Sequence, residues 1–289
     1  MKICAVTMVY RDYWALSQWY AHYARHLGSE NLYIIAHGAD PKIAELCPRA
    51  SVITIPRDDL AGFDRARARM LNNIQDGLGV VYDWVIRTDA DELICLDPAH
   101  HGSFVDLFDQ QPSATALFAL GFNVAEVEGE TPLRRSDAAL GKRRNAAFTG
   151  HYSKAWAVRR GVHLVRHGIG VPAKRVTTAE FNMPQGVYMA HLKYANLMAL
   201  VDANTDRAKV ASGSEKGLPG KAWSDADKDS QKFLNMFAKL PVWEWDRAMT
   251  TAYTEIIKTP VRDTDQSLLR AKSVNFPCRT MLPDWFQYS

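Results

Sequence analysis

The tripeptide D-A-D occurs twice in this sequence, at residues 89–91 and at residues 225–227. Each copy carries two aspartates one residue apart, but only the first follows an apolar run, WVIRT, typical of a buried strand. Side chains at positions i and i+2 of an extended chain point to the same side. The carboxylates of Asp89 and Asp91 should therefore converge at the end of a strand.

Two carboxylates so close together repel each other unless a cation lies between them. Hard oxygen ligands at a strand end suit Mg²⁺ or Mn²⁺ holding a diphosphate, and open α/β sheets bind ligands outside the carboxyl ends of their strands. The structural alternative is a strand-to-loop turn whose aspartates accept hydrogen bonds from local amides. We favour a metal or diphosphate site at Asp89 and Asp91.

The second copy, Asp225 and Asp227, has no strand before it. Its surroundings, AWSDADKDSQ, predict a helix N-terminus or a loop, with Asp229 near the cap. These charges can point into water, so we expect no chemical role for this copy.

The elements that must position Asp89 and Asp91 follow from an alternation of apolar runs over the first hundred residues. Apolar, β-favouring runs predict strands, and segments with helical spacing lie between them. The strands are expected at 2–10, 31–38, 50–56 and 83–89, and the helices at 13–27, 41–47 and 64–78. This order predicts β-α-β units, right-handed crossovers and a mostly parallel sheet.

The alternation weakens after residue 97. The segment 114–127 predicts one long strand or two, 128–148 a polar, basic loop, and the runs YSKAWAVRR and GVYMAHLKYA further strands. Beyond Asn196 the pattern is helical. We expect an α/β, Rossmann-like domain over residues 1–196, with a helical C-terminal extension over 197–289 packed on the same domain.

Composition and charge exclude several classes of protein. The net charge of +3 comes without a concentrated basic stripe, so a nucleic-acid partner is not expected. The four cysteines are scattered with no C-x-x-C pair, which argues against a zinc site or a disulfide framework. No run approaches the ~20 apolar residues of a membrane span.

The N-terminal run ICAVTMVY is too short for a secretory signal, so we expect a cytoplasmic protein. The aromatic segment LPVWEWDRAM and the tail NFPCRTMLPDWFQYS leave two alternatives open. They could pack on the core, which is the commoner case, or make peripheral contact with the inner face of a membrane or with a partner.

The run DWVIRTDADELICLD, together with the Rossmann-like first hundred residues, resembles the GT-A nucleotide-sugar glycosyltransferases. It is similar to the family-2-like group, in which a strand ends in D-x-D-E-[FL]. The resemblance implies that Asp89 and Asp91 hold Mn²⁺ or Mg²⁺ on the diphosphate of the donor, with Glu92 as the acid that follows. It also implies a late histidine on the same metal, and His191 in YMAHLKYAN matches that position.

The resemblance further assigns residues to the nucleotide. Thr7 and Tyr10, at the end of the first strand, would contact the base and ribose, and Asp40 matches a base-binding acid. An Asx turn before Pro41 is an equally good explanation of Asp40. Arg67 and Lys154 match basic residues directed towards the diphosphate, although a solvated helix face also explains Arg67 and its neighbouring arginines.

An inverting transferase needs a carboxylate base near the acceptor hydroxyl. Between the D-A-D segment and His191 the sequence contains no E-D or D-D pair of the usual kind, and we take Asp137 and Glu126 as the candidates. The resemblance therefore implies a hexosyltransferase-type enzyme that moves sugar from a UDP- or GDP-sugar to a hydroxyl of a glycan, lipid or other acceptor. The alternatives are a metal-dependent phosphohydrolase and a non-catalytic GT-A-like binding module.

Overall fold

The fold follows the predicted alternation closely in its first hundred residues. The computed structural model describes residues 1–213, 218–219 and 221–288. In this first part the strands are β1 (Ile3–Val9), β2 (Leu32–His37), β3 (Ser51–Ile55), β4 (Trp84–Arg87) and β5 (Glu92–Leu96). The helices are α1 (Tyr13–Leu27), α2 (Pro41–Leu46), α3 (Phe63–Leu78) and α4 (Phe104–Asp109).

The middle of the chain is built mainly of short strands. These are β6 (Ala116–Phe118), β7 (Leu120–Ala125), β8 (Asn145–Phe148), β9 (Ala155–Val158), β10 (Leu164–Val165), β11 (Gly168–Gly170) and β12 (Val187–Tyr194), with helix α5 (Ala139–Lys142) before β8. The segment 114–127 thus forms two strands, and they belong to different sheets. The prediction of a loop over 128–148 is wrong for its last part, because the four residues of β8 are buried and pair with β16 on one side and β7 on the other.

Helices dominate after residue 196, as predicted. They are α6 (Leu197–Ala211), α7 (Lys221–Ser224), α8 (Ala226–Lys239) and α9 (Trp245–Lys258). Four short strands, which the helical pattern did not indicate, accompany them: β13 (Val242–Trp243), β14 (Val261–Asp263), β15 (Leu268–Arg270) and β16 (Arg279–Met281). Strand β15 pairs with β11 and β16 with β8, so this part of the chain is joined to strands from the middle of the chain.

The first sheet has the strand order β3-β2-β1-β4-β9-β6. The pairings among β3, β2, β1 and β4 are parallel, as the β-α-β pattern predicted. Strand β9 runs antiparallel to β4, so the residues before β9 lie at the edge where β1 to β4 end. The expected α/β, Rossmann-like architecture with a mostly parallel central sheet is therefore confirmed.

The second sheet, β13-β16-β8-β7-β12-β5, aligns three side chains by register. Strand β12 lies between β5, which is antiparallel to it, and β7, which is parallel to it. His191 of β12 is thereby opposite Glu92 on one side and Asn123 on the other. Because β5 begins directly after the D-A-D segment, the pairing of β5 with β12 brings that segment close to His191.

Two hydrogen bonds with side chains of helix α1 fix the position of the D-A-D segment. The ring Nε1 of the fully buried Trp19 donates to Thr88 Oγ1 over 2.9 Å, and the Ile94 amide donates to the hydroxyl of Tyr23 over 3.1 Å. These bonds lie on the two sides of residues 89–91. Each satisfies a buried polar group that would otherwise be costly, so the segment has one preferred position.

Among the described residues, no helix combines the length and the apolar character needed to cross a membrane.

Candidate active site

A cavity of about 410 Å³ opens at the carboxyl edge of the first sheet. Its volume lies in the range typical of small-molecule sites. The sheet order places four of its lining residues in sequence along this edge: Arg57 beyond β3, His37 ending β2, Tyr10 beyond β1 and Asp89 beyond β4. Lys154, before β9, comes next along the edge and contacts Asp89. Neighbouring strands are ~5 Å apart. Asp89, beyond β4, therefore lies between one flank of the cavity at the ends of β1 to β3 and another flank at β9.

Asp89 is held by two cations. Arg67 Nη2 lies 2.6 Å from Asp89 Oδ1, and Lys154 Nζ lies 3.4 Å from Oδ2. Burial would raise the pKa of Asp89, but Lys154 and Arg67 hold it well below its usual range. This carboxylate is therefore ionised, and both basic residues predicted to face the diphosphate are at the site.

Glu92 lies behind this pair, almost completely buried. Its Oε1 is 2.6 Å from Lys154 Nζ, and its Oε2 accepts the Asp89 amide over 3.0 Å. Burial raises the pKa of Glu92 to about 7, against the opposing effect of Lys154. Burial would lower the pKa of Lys154, but Glu92 and Asp89 raise it above its ordinary value. The structural alternative expected the aspartates to accept from local amides, whereas in the structure Glu92 is the acceptor and it bonds the Asp89 amide.

His191 and Asp91 face each other across 3.3 Å, measured from Nε2 to Oδ2. The other ring nitrogen, Nδ1, lies 2.6 Å from the amide oxygen of Asn123, which can only accept. The ring proton is therefore on Nδ1, and Nε2 presents a lone pair to the Asp91 carboxylate. Burial lowers the pKa of His191 although Asp91 opposes this, so the ring is neutral.

A lone pair facing a carboxylate is unfavourable unless a cation joins them, and a neutral imidazole fixed through its other nitrogen is a usual metal ligand. Within the described part of the chain, ligand atoms of Asp91, Glu92 and His191 lie within 4.8 Å of one another. Two carboxylates and one imidazole suit Mn²⁺ or Mg²⁺. Asp89 is outside this group, and its oxygens contact Arg67 and Lys154.

Tyr10 forms a flat surface at one flank of the cavity. The Arg57 guanidinium lies 3.5 Å above the centre of the Tyr10 ring, and its Nη1 is 2.8 Å from His37 Nδ1. Burial, together with Arg57 and Arg67, lowers the pKa of His37 to about 4. The ring is neutral near pH 7 and accepts the Arg57 hydrogen bond, which fixes the guanidinium over Tyr10.

Helix α6 and strand β12 each contribute a cation to the wall of the cavity. Arg207 of α6 and Lys193 of β12 both line it, and Arg207 Nη1 donates to Asn204 Oδ1 over 2.8 Å. Arg67 lines the cavity as well, so these three side chains can neutralise an anion such as a diphosphate.

Two residues predicted for the nucleotide have other surroundings. Thr7 is buried within β1 and does not line the cavity, whereas Tyr10 does. Asp40 is the N-cap of α2, accepting the Lys42 amide over 3.1 Å and the Tyr13 hydroxyl over 2.8 Å. It borders a neighbouring cavity of about 170 Å³, so its capping bonds match the turn that was the alternative explanation.

The two candidate bases are not brought to the cavity. Glu126 Oε2 is 2.7 Å from the buried Arg143 and also accepts the Leu197 amide. Asp137 accepts the Arg134 amide in a loop. Neither carboxylate lines the 410 Å³ cavity, so neither is placed to act as a base there.

Sequence reasoning missed several cavity residues: Asp12, Arg57, His151 and Arg207. Asp12 could have been found, because it follows β1 at the same edge as Asp89. It caps α1 through the Ala15 amide, and burial together with Asp91 raises its pKa to about 6. The others come from loops and a helix whose approach to the sheet edge depends on tertiary packing.

No protein-family model matches the chain, and no curated protein matches it. Among solved structures, a CMP:2-keto-3-deoxy-manno-octonic acid synthetase complexed with CTP is 14% identical, covering 55% of this chain and 75% of its own, with a TM-score of 0.31. A mannose-1-phosphate geranyltransferase from Thermus thermophilus is 10% identical, covering 99% and 77%, with a TM-score of 0.30. A cytidylyltransferase from Leptospira borgpetersenii serovar Hardjo-bovis is 12% identical, covering 84% and 99%, with a TM-score of 0.35. These similarities carry no argument about activity, which must come from the site itself.

Proposed function

We propose that the protein is a metal-dependent glycosyltransferase that moves a sugar from a UDP- or GDP-sugar to an acceptor hydroxyl. The observation that carries the proposal is the pair formed by Asp91 and the lone-pair nitrogen of His191, 3.3 Å apart at the carboxyl edge of the sheet. A cation bound between these two groups would remove their repulsion, and an anion would neutralise the surrounding arginines and lysines. A metal diphosphate supplies both.

The protein ligands of the cation would be Asp91 and His191, completed by a carboxylate oxygen of Glu92 or Asp89. When bound, the cation supplies charge neutralisation on the leaving diphosphate. Arg67, Lys154 and Arg207 stabilise the same negative charge.

Each flank of the cavity would contact a different part of the nucleotide-sugar donor. The Tyr10 ring and the Arg57 guanidinium offer stacking surfaces to a nucleobase. Strand β4 is next to β1 in the sheet, so the cations around Asp89 come next along the edge, and the diphosphate would lie there. The transferred sugar then extends towards β9 and the residues before it, so the acceptor would enter from that side.

Transfer forms a bond between the acceptor oxygen and the anomeric carbon and breaks the bond from that carbon to the diphosphate oxygen. The electron pair of the broken bond leaves with the nucleoside diphosphate, and the acceptor proton passes to a base. The chain must therefore neutralise charge on one flank of the sugar and remove a proton on the other.

The test is a melting-temperature screen of UDP- and GDP-sugars with Mn²⁺ or with EDTA, followed by measurement of UDP or GDP release. We expect a nucleotide-dependent shift that is much larger with Mn²⁺. Saturation at one hundred times Kd corresponds to about 2.7 kcal/mol. Equal shifts in EDTA, or rapid cleavage of p-nitrophenyl phosphate, would contradict the proposal and favour a phosphohydrolase.

A further inference from the structure

The hairpin formed by β10 and β11 has an unusual turn. Its two turn residues, Arg166 and His167, have φ values of 46° and 68°, and the pairing of Val165 with Gly168 makes this a two-residue hairpin. Turns with positive φ at both positions normally contain glycine, asparagine or aspartate. A residue held in this region costs free energy and persists only when its surroundings demand it.

The surroundings of this turn fix its position. A Cβ added to Gly168 would lie 2.1 Å from the carbonyl oxygen of Leu269, so β11 packs against β15 with no room for a side chain. On the other strand, Leu164 donates its amide to Asn72 Oδ1 on α3 over 3.2 Å. The His167 carbonyl accepts the Ala155 amide at the start of β9 over 3.2 Å. The hairpin therefore cannot slide, and His167 is held at the mouth of the cavity.

The contacts of the His167 ring define which nitrogen carries the proton. Its Nδ1 lies 2.9 Å from the backbone carbonyl oxygen of His151, and a carbonyl only accepts. Nδ1 therefore carries the hydrogen and Nε2 presents a lone pair, which is the form that can take a proton. The centre of the His151 ring lies 4.6 Å away and that of the Tyr152 ring 6.1 Å away, so the plane of His167 is fixed on two sides.

The charge state of the ring agrees with this geometry. Partial burial of the ring, with Lys154 and His151, lowers the pKa of His167 to about 4, while the hydrogen bond to the His151 carbonyl and Asp89 oppose that change. Near pH 7 the imidazole is neutral. The residue keeps an exposed surface at the cavity mouth, so an incoming acceptor can reach it.

His167 lies where the proposed transfer reaction needs a base. His167 lines the cavity on the β9 flank, whereas Tyr10 and Arg57 lie on the β1 to β3 flank. An acceptor that displaces the diphosphate with inversion attacks the sugar from the side away from the leaving group. With the donor placed as proposed above, the β9 flank is that side.

The carboxylates that line the cavity have other partners or positions. Asp89, Asp91 and Glu92 contact the cations and His191 described above, Asp12 caps α1, and Asp206 lies 3.4 Å from Lys209. Asp64 is in the first turn of α3, which follows β3 on the nucleoside flank. Within the described residues, none of them combines the β9 flank with an uncommitted proton-accepting atom.

We propose that His167 is the catalytic base, whose Nε2 removes the proton from the acceptor hydroxyl as its oxygen attacks the anomeric carbon. This inference rests on the proposed glycosyltransferase activity. It adds an inverting outcome, since the base and the leaving diphosphate lie on opposite flanks of the sugar.

Two nucleophiles separate proton removal from the rest of the reaction. Water must lose a proton when it attacks the sugar, whereas azide attacks without one and gives a glycosyl azide. The full-length wild type, H167N and R166N are incubated with Mn²⁺ and UDP-glucose, UDP-galactose or GDP-mannose. Release of UDP or GDP is measured with water alone and with added sodium azide. Asparagine tolerates positive φ, so H167N preserves the turn, and melting temperatures check that both variants fold.

We expect H167N to lose about 100-fold or more of the water-dependent release, the usual contribution of a general base. Its azide-dependent release should equal that of the wild type. R166N changes the other positive-φ residue of the same turn, which does not line the cavity, and should behave as wild type in both assays. The azide product should have the inverted anomeric configuration.

Two results would overturn the role of His167. Equal losses with water and azide would show that the ring only positions the substrate, and unchanged release with water would place the base elsewhere, with Asp12→Asn as the next variant to examine. If the wild type releases no nucleotide from any of these donors with either nucleophile, the glycosyltransferase proposal itself fails.

Discussion

Asn123 and His191 are opposite each other on the neighbouring parallel strands β7 and β12, with Asn123 Oδ1 2.6 Å from His191 Nδ1. The stacked Tyr152 ring, whose centre is 3.6 Å from that of the imidazole, covers the face of the histidine. One contact fixes the tautomer and the other fixes the ring plane. His191 is therefore oriented before any cation binds.

Asn123→Ala should weaken Mn²⁺-dependent nucleotide binding while leaving the fold intact. Without the amide oxygen, His191 can rotate or shift its proton to Nε2, and partners of this kind typically account for a roughly 10–100-fold change in metal affinity. Mn²⁺ titrations in the presence of UDP, followed by calorimetry, measure the change. Asn182→Ala is the matched control, since Asn182 bonds Gln111 and does not line the 410 Å³ cavity. An unchanged Mn²⁺ affinity in Asn123→Ala would contradict the orienting role.

The second D-A-D copy provides a direct test of the strand-end argument. Asp225 is the N-cap of α8, and Asp227 accepts a hydrogen bond from Asn204 over 2.9 Å, with both aspartates exposed. Asp225→Asn combined with Asp227→Asn should leave nucleotide release nearly unchanged, because exposed substitutions usually alter stability by no more than about 0.5 kcal/mol. A loss of release as severe as that of Asp91→Asn would show that position along the sheet does not distinguish the copies.

The first hundred residues were predictable because each element has a strong local pattern. The apolar run of β1 and the helical spacing of α1, closed by Gly28, need no tertiary information. The same logic placed Asp89 at the carboxyl edge, where it lies. The position of Asp12 follows from this argument as well, since it comes directly after β1.

Other parts of the site depend on packing that no local pattern shows. The register of β12 brings His191 next to Glu92 rather than Asp89, and a one-residue shift would turn that side chain to the other face. His167 reaches the cavity only because a strained turn is tied to β9 and β15. The predictions for Glu126 and Asp137 relied on residue type and local sequence context, and Arg143 and a local loop amide bind them instead.

His37 should give the protein a measurable pH dependence. Its pKa is lowered to about 4, against an ordinary value of 6.5, by burial and by Arg57 and Arg67. The folded state thus binds fewer protons than the unfolded state, so the stability associated with neutral His37 is present above pH 6.5. It is lost as the pH falls towards about 4.

Comparison of wild type with His37→Gln isolates this contribution from the other titrating groups. Asp12 and Glu92, whose pKa values are raised to about 6 and about 7, act with the opposite sign and are common to both proteins. The melting temperature of the wild type relative to that of the variant should fall as the pH goes from 6.5 to about 4. A difference that is constant across this range would contradict a neutral His37 beside Arg57.

Asp89→Asn separates two roles for the first aspartate of the D-A-D segment. In the structure its carboxylate binds Arg67 over 2.6 Å and Lys154 over 3.4 Å, whereas Asp91 faces His191. Removing the Asp89 charge frees Arg67 for a diphosphate and leaves Lys154 paired with Glu92 alone. UDP should therefore bind Asp89→Asn more tightly than wild type in EDTA, as measured by calorimetry at low salt, because exposed charge interactions are screened as salt increases. Asp91→Asn, the matched change, should not strengthen metal-free binding and should lose the Mn²⁺-dependent part. If Asp89→Asn instead loses the Mn²⁺-dependent part as fully as Asp91→Asn, with no gain in EDTA, Asp89 rather than Glu92 completes the metal site.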